Sequence, residues 1–128
     1  MTEGAEAGRV DGPSEFVPIL SAAARATARR LYAARGERVG LIGPGLFADP
    51  AWDMLLDLAA CQGVRLLSVS AVCLGACVPH ATAIRYIGIL LDRGLVERVP
   101  DERDRRRTHL RLTGRGVAKM EAALLRFA

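Results

Sequence analysis

Apolar residues recur at helical spacing over the first half of the chain. They predict a helix from Phe16 to Arg35, ended by Gly36, with four apolar side chains on one face: Leu20, Ala24, Leu31 and Ala34. Residues 37–48 contain several Gly and one Pro and predict a loop. Asp49 and Pro50 suit the N-cap and first position of a second helix, which would end near Gly63.

A helix-turn-helix is predicted in the segment that follows. After the short apolar stretch 64–67, Ser70 suits the N-cap of a helix ending near Ala76. Residues 77–79 allow only a tight turn, and residues 79–93 predict a longer helix that Gly94 would end. Two helices separated by so short a turn are typical of a helix-turn-helix, whose second helix is the recognition helix.

The hydrophobic period changes to two after Gly94. Residues 95–99 and 107–112 alternate as strands, and the charged segment between them predicts a hairpin with a basic loop at 100–107. Thr113 suits the N-cap of a last helix from Arg115 to about Phe127. An apolar stripe follows this helix: Val117, Met120, Leu124 and Phe127.

The order of these elements predicts a mainly α fold with a small β-hairpin wing, a winged helix-turn-helix. The length of 128 residues allows one domain, here 16–128, preceded by an acidic, Gly-rich segment 1–15 that we expect to be a flexible tail. No apolar run is long enough for a membrane span and the first residues do not resemble a signal peptide, so a cytoplasmic location is expected.

The charge is concentrated in two segments. Basic residues number 18, of which all but Lys119 are Arg, and the net charge is +4. Residues 25–38 and 85–115 each carry a net +4, while the rest of the chain is negative overall. A basic segment that coincides with the predicted wing and recognition helix is typical of a nucleic-acid-binding protein, although basic surfaces also bind acidic proteins.

The predicted wing belongs to a longer sequence pattern. Asp104-x-Arg106 is followed, after the strand, by Leu112-Thr113-x-x-Gly116, and both are joined to Gly94-Leu95-Val96 upstream. At this spacing, residues 67–116 resemble the DNA-binding half of MarR-type transcriptional regulators. The resemblance implies sequence-specific binding of double-stranded DNA, with the recognition helix in the major groove and the wing on the adjacent backbone or in the minor groove.

The candidate DNA-binding residues lie in these two elements. On the recognition helix, Arg85 could reach a guanine or a phosphate, and Thr82 could contact a phosphate or a thymine methyl, with His80 and Tyr86 beside them. The alternative for Arg85 is an ordinary solvated helix residue, and His80 could equally be merely exposed. In the wing the candidates are Arg103, Arg105, Arg106 and Arg107.

The wing arginines alternate with acidic residues, so they could also form a solvated run of weak ion pairs. We expect Asp104 to pair with a neighbouring arginine and hold the loop, and the family resemblance favours Arg106 as the DNA contact. Strand alternation would place Arg105 and Arg107 on one side and Arg106 on the other.

The resemblance also implies a homodimer formed through the N- and C-terminal helices. The residues that could contribute to it are Leu20, Leu31, Val117, Met120, Leu124 and Phe127. These side chains could instead close the core of a single chain. The sequence departs from the family after Gly116, because the residues that remain are too few for the family's second C-terminal helix.

No catalytic, metal or cofactor site is predicted. Cys73 and Cys77 are four residues apart, but they fit as packing residues of the helix-turn-helix, and with Cys61 and the two histidines they match no known ligand spacing. A redox or small-molecule effector is left open. The main alternative to a DNA-binding regulator is a winged helix that binds another protein in a signalling or transcription complex, because the recognition helix carries several apolar residues.

Overall fold

The computed structural model describes residues 18–43 and 49–127. Five helices and three short strands follow one another in these residues: α1 (Ala22–Ile42), α2 (Pro50–Cys61), β1 (Leu67–Ser68), α3 (Val69–Gly75), α4 (His80–Asp92), β2 (Val96–Pro100), β3 (Thr108–Leu112) and α5 (Gly114–Leu125). The winged helix fold predicted from the sequence is confirmed. The predicted acidic tail, 1–15, lies outside the described residues.

The first helix differs from its prediction at both ends: the predicted start at Phe16 is wrong, because residues 18–21 precede the helix. Ser21 caps α1 by accepting a hydrogen bond from the Ala24 amide at 3.1 Å, and the helix then continues through Gly36 to Ile42. The predicted stop at Gly36 and the predicted loop over 37–42 are therefore wrong. A glycine inside a helix costs only about 1 kcal/mol relative to Ala, which neighbouring residues can offset. Residues 44–48 of that predicted loop lie outside the described part of the chain.

The helix-turn-helix begins two residues earlier than expected. Ser68, not Ser70, caps α3, because its hydroxyl accepts a hydrogen bond from the Ala71 amide at 3.1 Å. In the turn, Cys77 has a positive φ of 57°, the left-handed conformation that lets the chain reverse direction within a few residues. Pro79 precedes the first turn of α4, and Gly94, with a φ of 70°, follows its end as predicted.

The wing is part of a three-stranded antiparallel sheet. The strand order is β1-β3-β2, with Leu67 opposite Leu110 at one side of β3 and Val96 opposite Leu112 at the other. The two-residue strand β1 was not predicted, since so short a strand has no alternation of its own to detect. It connects the start of α3 directly to the hairpin.

The core lies between the sheet and the helices. Buried apolar residues come from every helix, and the largest are Leu20, Met54, Leu56, Val72, Ile87, Leu110 and Leu124. On α5 the predicted stripe is buried except for Phe127, which lies after the helix and remains 51% exposed. Among the described residues no single helix is long and apolar enough to cross a membrane, although α3 and α4 together, bent by 114°, meet the length and composition test.

Candidate nucleic-acid interface

Helix α4 presents a mixed polar and apolar face to solvent. Its opposite face is fixed in the core by Ala83, Ile87 and Leu90, as the sequence predicted. On the outer side, His80 and Arg85 are exposed, whereas Thr82 and Tyr86 are partly buried at the edge of the helix. The Arg85 guanidinium carbon lies 5.0 Å from the centroid of the Tyr86 ring, a cation–π contact that leaves its N–H donors available.

Polar side chains from α1 anchor the helix-turn-helix to the rest of the molecule. The Tyr32 hydroxyl and an Arg35 N–H group both donate to the Gly75 carbonyl at the end of α3, each at 3.0 Å. Gly75 permits this approach, because a Cβ there would lie 2.7 Å from the Tyr32 hydroxyl. Arg35 also lies 3.6 Å from the buried carboxylate of Asp53.

This anchor was missed in the sequence, because it joins residues far apart in the chain and carries no local pattern. Burial raises the pKa of the Asp53 carboxyl, and the nearby Arg35 guanidinium opposes that shift. Burial also raises the pKa of Tyr32, so its hydroxyl stays protonated and remains a donor to Gly75. The orientation of α3, and through the turn that of α4, is therefore tied to α1.

Two carboxylates organise the loop of the wing. Asp104 accepts hydrogen bonds from the Arg106 amide at 3.1 Å and from the Arg106 Nε at 3.4 Å, consistent with the expected pairing. Asp101 accepts from the amides of Arg103 and Asp104 at 2.8 and 3.1 Å. These amide donors hold the pKa of the Asp101 carboxyl below its usual value. The sequence did not distinguish Asp101 from its acidic neighbours as a residue that holds the loop.

The four wing arginines are all exposed, and the side chain of Arg106 is 94% exposed even though it contacts Asp104. Residues 105–107 precede β3, so the expected alternation of Arg105, Arg106 and Arg107 between two faces of a strand is wrong. Within the described residues, the side chains of Arg103 and Arg105 form no ion pair. The wing therefore presents several cations to solvent in one short loop.

A polar groove of about 710 Å³ separates the wing from the start of α3. Its walls include the hydroxyl residues Ser68 and Ser70, and its basic residues are Arg98, Arg106 and Arg107. Hydroxyl and guanidinium donors around one concavity are suited to phosphate oxygens. Sequence reasoning missed the two serines and Arg98, because strand alternation places Arg98 on the same face of β2 as the buried Val96 and gives no signal that Arg98 is exposed.

The pattern Thr113-x-x-Gly116 joins the wing to the recognition helix. The Thr113 hydroxyl caps α5 by accepting from the Gly116 amide at 3.0 Å and donates to the Gly94 carbonyl, while the Thr113 amide donates to Leu95 at 3.1 Å. The loop that ends α4 is thereby fixed against the strand that ends the wing. This contact explains physically why the two halves of the pattern occur at a set spacing.

Comparison with known proteins agrees with this geometry. A family model described as a winged helix DNA-binding domain matches residues 68–116, which extend from the cap of α3 to the first turn of α5. The structure is similar to that of Staphylococcus aureus MepR in DNA-binding conformation, with a TM-score of 0.55 and 18% identity over 79% of this chain and 72% of that one. Residues 68–116 of this chain form a winged helix domain, and the chain shares the fold of MepR.

Two further structures are similar to this one. A probable transcriptional regulator from Pseudomonas aeruginosa has a TM-score of 0.52 and 27% identity, covering 79% of this chain and 73% of that chain. A mutant of MarR from E. coli has a TM-score of 0.50 and 18% identity, covering 85% and 75%. A comparison with curated protein sequences gave no match.

Most residues considered for dimerisation are buried in the chain itself. Leu20, Val117, Met120 and Leu124 belong to its core, so these side chains close the core rather than forming an exposed surface. Leu31 is half-buried, and the Phe127 ring is tilted against Trp52 with the ring centroids 6.1 Å apart. Of the six residues, Leu31 and Phe127 remain able to contact another chain.

The three cysteines of the chain occupy different environments. Cys73 is buried and Cys61 is half-buried, and burial raises the pKa of both thiols, so they are protonated and poorly nucleophilic. Cys77 is exposed in the turn before α4. The described residues contain no group of three or more His, Cys, Asp or Glu side chains able to hold a metal ion.

Proposed function

We propose that this protein is a sequence-specific DNA-binding transcription regulator. Helix α4 enters the major groove, and the wing, residues 100–107, lies on the adjacent backbone or in the minor groove. The observation that carries the proposal is the exposed Arg85 on the outer face of α4, in a winged helix domain whose loop presents four further exposed arginines. Residues 85–115 carry nine arginines against five acidic residues, which favours a polyanionic partner.

The proposed roles follow from the position of each side chain on α4. Arg85 extends from the exposed face and can donate two hydrogen bonds to a guanine edge. His80, in the first turn, lies where a helix that enters the groove by its N-terminal end meets the phosphates. Thr82 and Tyr86, at the edge of the helix, are placed for backbone contacts rather than for base readout.

In the wing, Arg106 is the proposed principal DNA contact. Asp104 positions it and does not contact DNA itself, since a carboxylate is repelled by phosphate. Arg103, Arg105 and Arg107 add charge around the loop, and Arg107 also lines the groove beside α3. Each arginine that neutralises a phosphate releases a counterion, so binding would weaken steeply with salt.

A homodimer is part of this proposal. Two α4 helices related by a two-fold axis would match palindromic half-sites about one helical turn apart. The half-exposed ring of Phe127, with Trp52 and Leu31 near it, supplies an apolar surface on the side of α1 and α5. That surface is separate from the arginines of the wing and α4.

Binding to the protein's own upstream DNA tests the proposal. Affinity would be measured by fluorescence anisotropy for that fragment and for a scrambled fragment, over a series of salt concentrations. We expect the wild type to prefer its own fragment, and Arg85→Ala to lose about 1–3 kcal/mol on that fragment only. Arg106→Ala should weaken binding to both fragments and reduce the salt slope by about one. Arg29→Ala, at an exposed position of α1, is the matched control and should change neither.

Equal binding to both fragments, or none at moderate salt, would overturn the proposal. The chain would then fit better as a protein-binding winged helix. Leu74 on α3 and Ile84 on α4 are exposed apolar residues that such a partner could cover.

A further inference from the structure

The outer face of α4 contains an isoleucine that the folded chain does not bury. Ile84 is 43% exposed, although three neighbouring apolar residues of the same helix are in the core. A single exposed apolar residue is ordinary on a protein surface and carries no argument alone. Its position next to Arg85, on the element proposed to enter the major groove, is what makes it informative.

Ile84 and Arg85 lie on either side of a strip of small residues. At 100° per residue, Ala81 and Gly88 fall between them, one turn before and one turn after. Ala81 is exposed, and nothing lies within 4 Å of the position that a Cβ on Gly88 would take. Because the residues in the middle of this face have small side chains or none, the helix backbone can approach the base edges closely. The longer side chains on both sides can then reach the bases.

The two flanking side chains have complementary chemistry. Arg85 leans over the Tyr86 ring, on the side of the helix away from Ile84, so the two do not compete for the same space. In the major groove a guanidinium matches the two acceptors of guanine, and an apolar side chain matches the C5-methyl group that only thymine carries. Ile84 has no polar atom with which to read any other base.

We infer that Ile84 packs on the C5-methyl group of a thymine next to the guanine contacted by Arg85. Each half-site of the target DNA would then contain a guanine with a thymine beside it. This inference rests on the proposed function, and it adds a specificity residue and a base preference to it.

Replacing thymine by deoxyuridine tests the inference, because this change removes the methyl group and nothing else. Preferred duplexes would first be enriched from a random pool with the wild-type protein, and each thymine of the enriched site would then be replaced in turn. We expect one replacement per half-site to weaken binding by about fourfold, the effect of one buried methyl group. In Ile84→Ala the same replacement should have no effect, since the partner of the methyl group is gone.

A matched variant separates this contact from general loss of apolar surface. Ile19→Ala changes an isoleucine that is also exposed but lies before α1, and it should keep the full effect of the deoxyuridine replacement. Tolerance of deoxyuridine at every position, or an unchanged effect in Ile84→Ala, would overturn the inference while DNA binding stands. Failure to enrich any sequence would overturn both the inference and the proposed function.

Discussion

Gly116 lies where the first turn of α5 meets the loop that follows α4. A Cβ at this position would overlap the carbonyl oxygen of Leu95, which is itself held by the Thr113 amide. We expect Gly116→Ala to lower the free energy of unfolding by about 2–3 kcal/mol, because backbone atoms must shift to make room. Urea denaturation followed by circular dichroism measures this.

Gly114→Ala is the control for that experiment. It makes the same substitution in the same turn, but the nearest atom to its Cβ would be a Pro18 carbon at 3.7 Å, an ordinary contact. Its stability should be unchanged or slightly higher, since Ala favours a helix. Equal stability of the two variants would contradict the role given to Gly116.

The structural roles of single residues differ in how well they could be predicted from the sequence. Thr113 was predictable as a cap, since a hydroxyl residue before an apolar stripe is a local signal, and its cap hydrogen bond is present. Asp101 was not, because three carboxylates in one loop are equivalent until the turn decides which amides each can reach. The Arg35 anchor on Gly75 was not predictable either, since it depends on packing between α1 and α3.

At the scale of elements, the wing loop should loosen in acid. The amides of Arg103 and, less strongly, of Asp104 lower the pKa of Asp101 in the folded chain below the unfolded value of about 3.9. Because the Asp101 pKa is lower in the folded chain, the carboxylate stabilises the loop fully when the pH is above the pKa of the unfolded chain. This stabilisation is lost as the pH falls through the pKa of the folded chain. The contribution of Asp101 should therefore be complete above about pH 4 and be lost below it.

Amide chemical shifts of Arg103 and Asp104, followed by NMR from neutral to acid pH, measure this transition. Their midpoint should lie below the ordinary value for an aspartate. In Asp101→Asn the transition should disappear from both amides, because the side chain no longer titrates. A midpoint at or above about 3.9 would show that the carboxylate is not held as described.

Whole elements were predicted best where caps and periodicity agree. Helix α4 has a proline before it, a clear apolar face and Gly94 after it, and its predicted bounds differ from the observed ones by about one residue. Helix α1 has no comparable signal at its C-terminus. The prediction that it ends at Gly36 was wrong because glycine permits a helix to end but does not require it. Strand β1 exists only through its pairing with β3, which no local pattern could reveal.

At the scale of the whole molecule, the sequence could show which faces are apolar but not what covers them. On α5, the apolar residues Val117, Met120 and Leu124 are buried in the core of their own chain. Phe127, which continues this stripe, remains exposed. Its carbonyl accepts a hydrogen bond from Arg30 at 2.8 Å, which holds the end of α5 against α1. The apolar surface left for a second chain is thus much smaller than the sequence pattern suggested.

This remaining surface leads to a prediction about assembly. We expect the wild-type protein to sediment as a dimer at micromolar concentration, and Phe127→Asp to be a folded monomer, because the substituted side chain is half exposed and its charge would oppose an apolar contact. Ile19→Asp places the same charge on another exposed apolar residue and should remain dimeric. The monomeric variant should bind a single half-site with the same affinity as the wild type. It should not bind a palindromic site more tightly than a half-site, because that increase in affinity requires two linked α4 helices. A wild type that is monomeric at every concentration, or a dimeric Phe127→Asp, would show that this surface is not the interface.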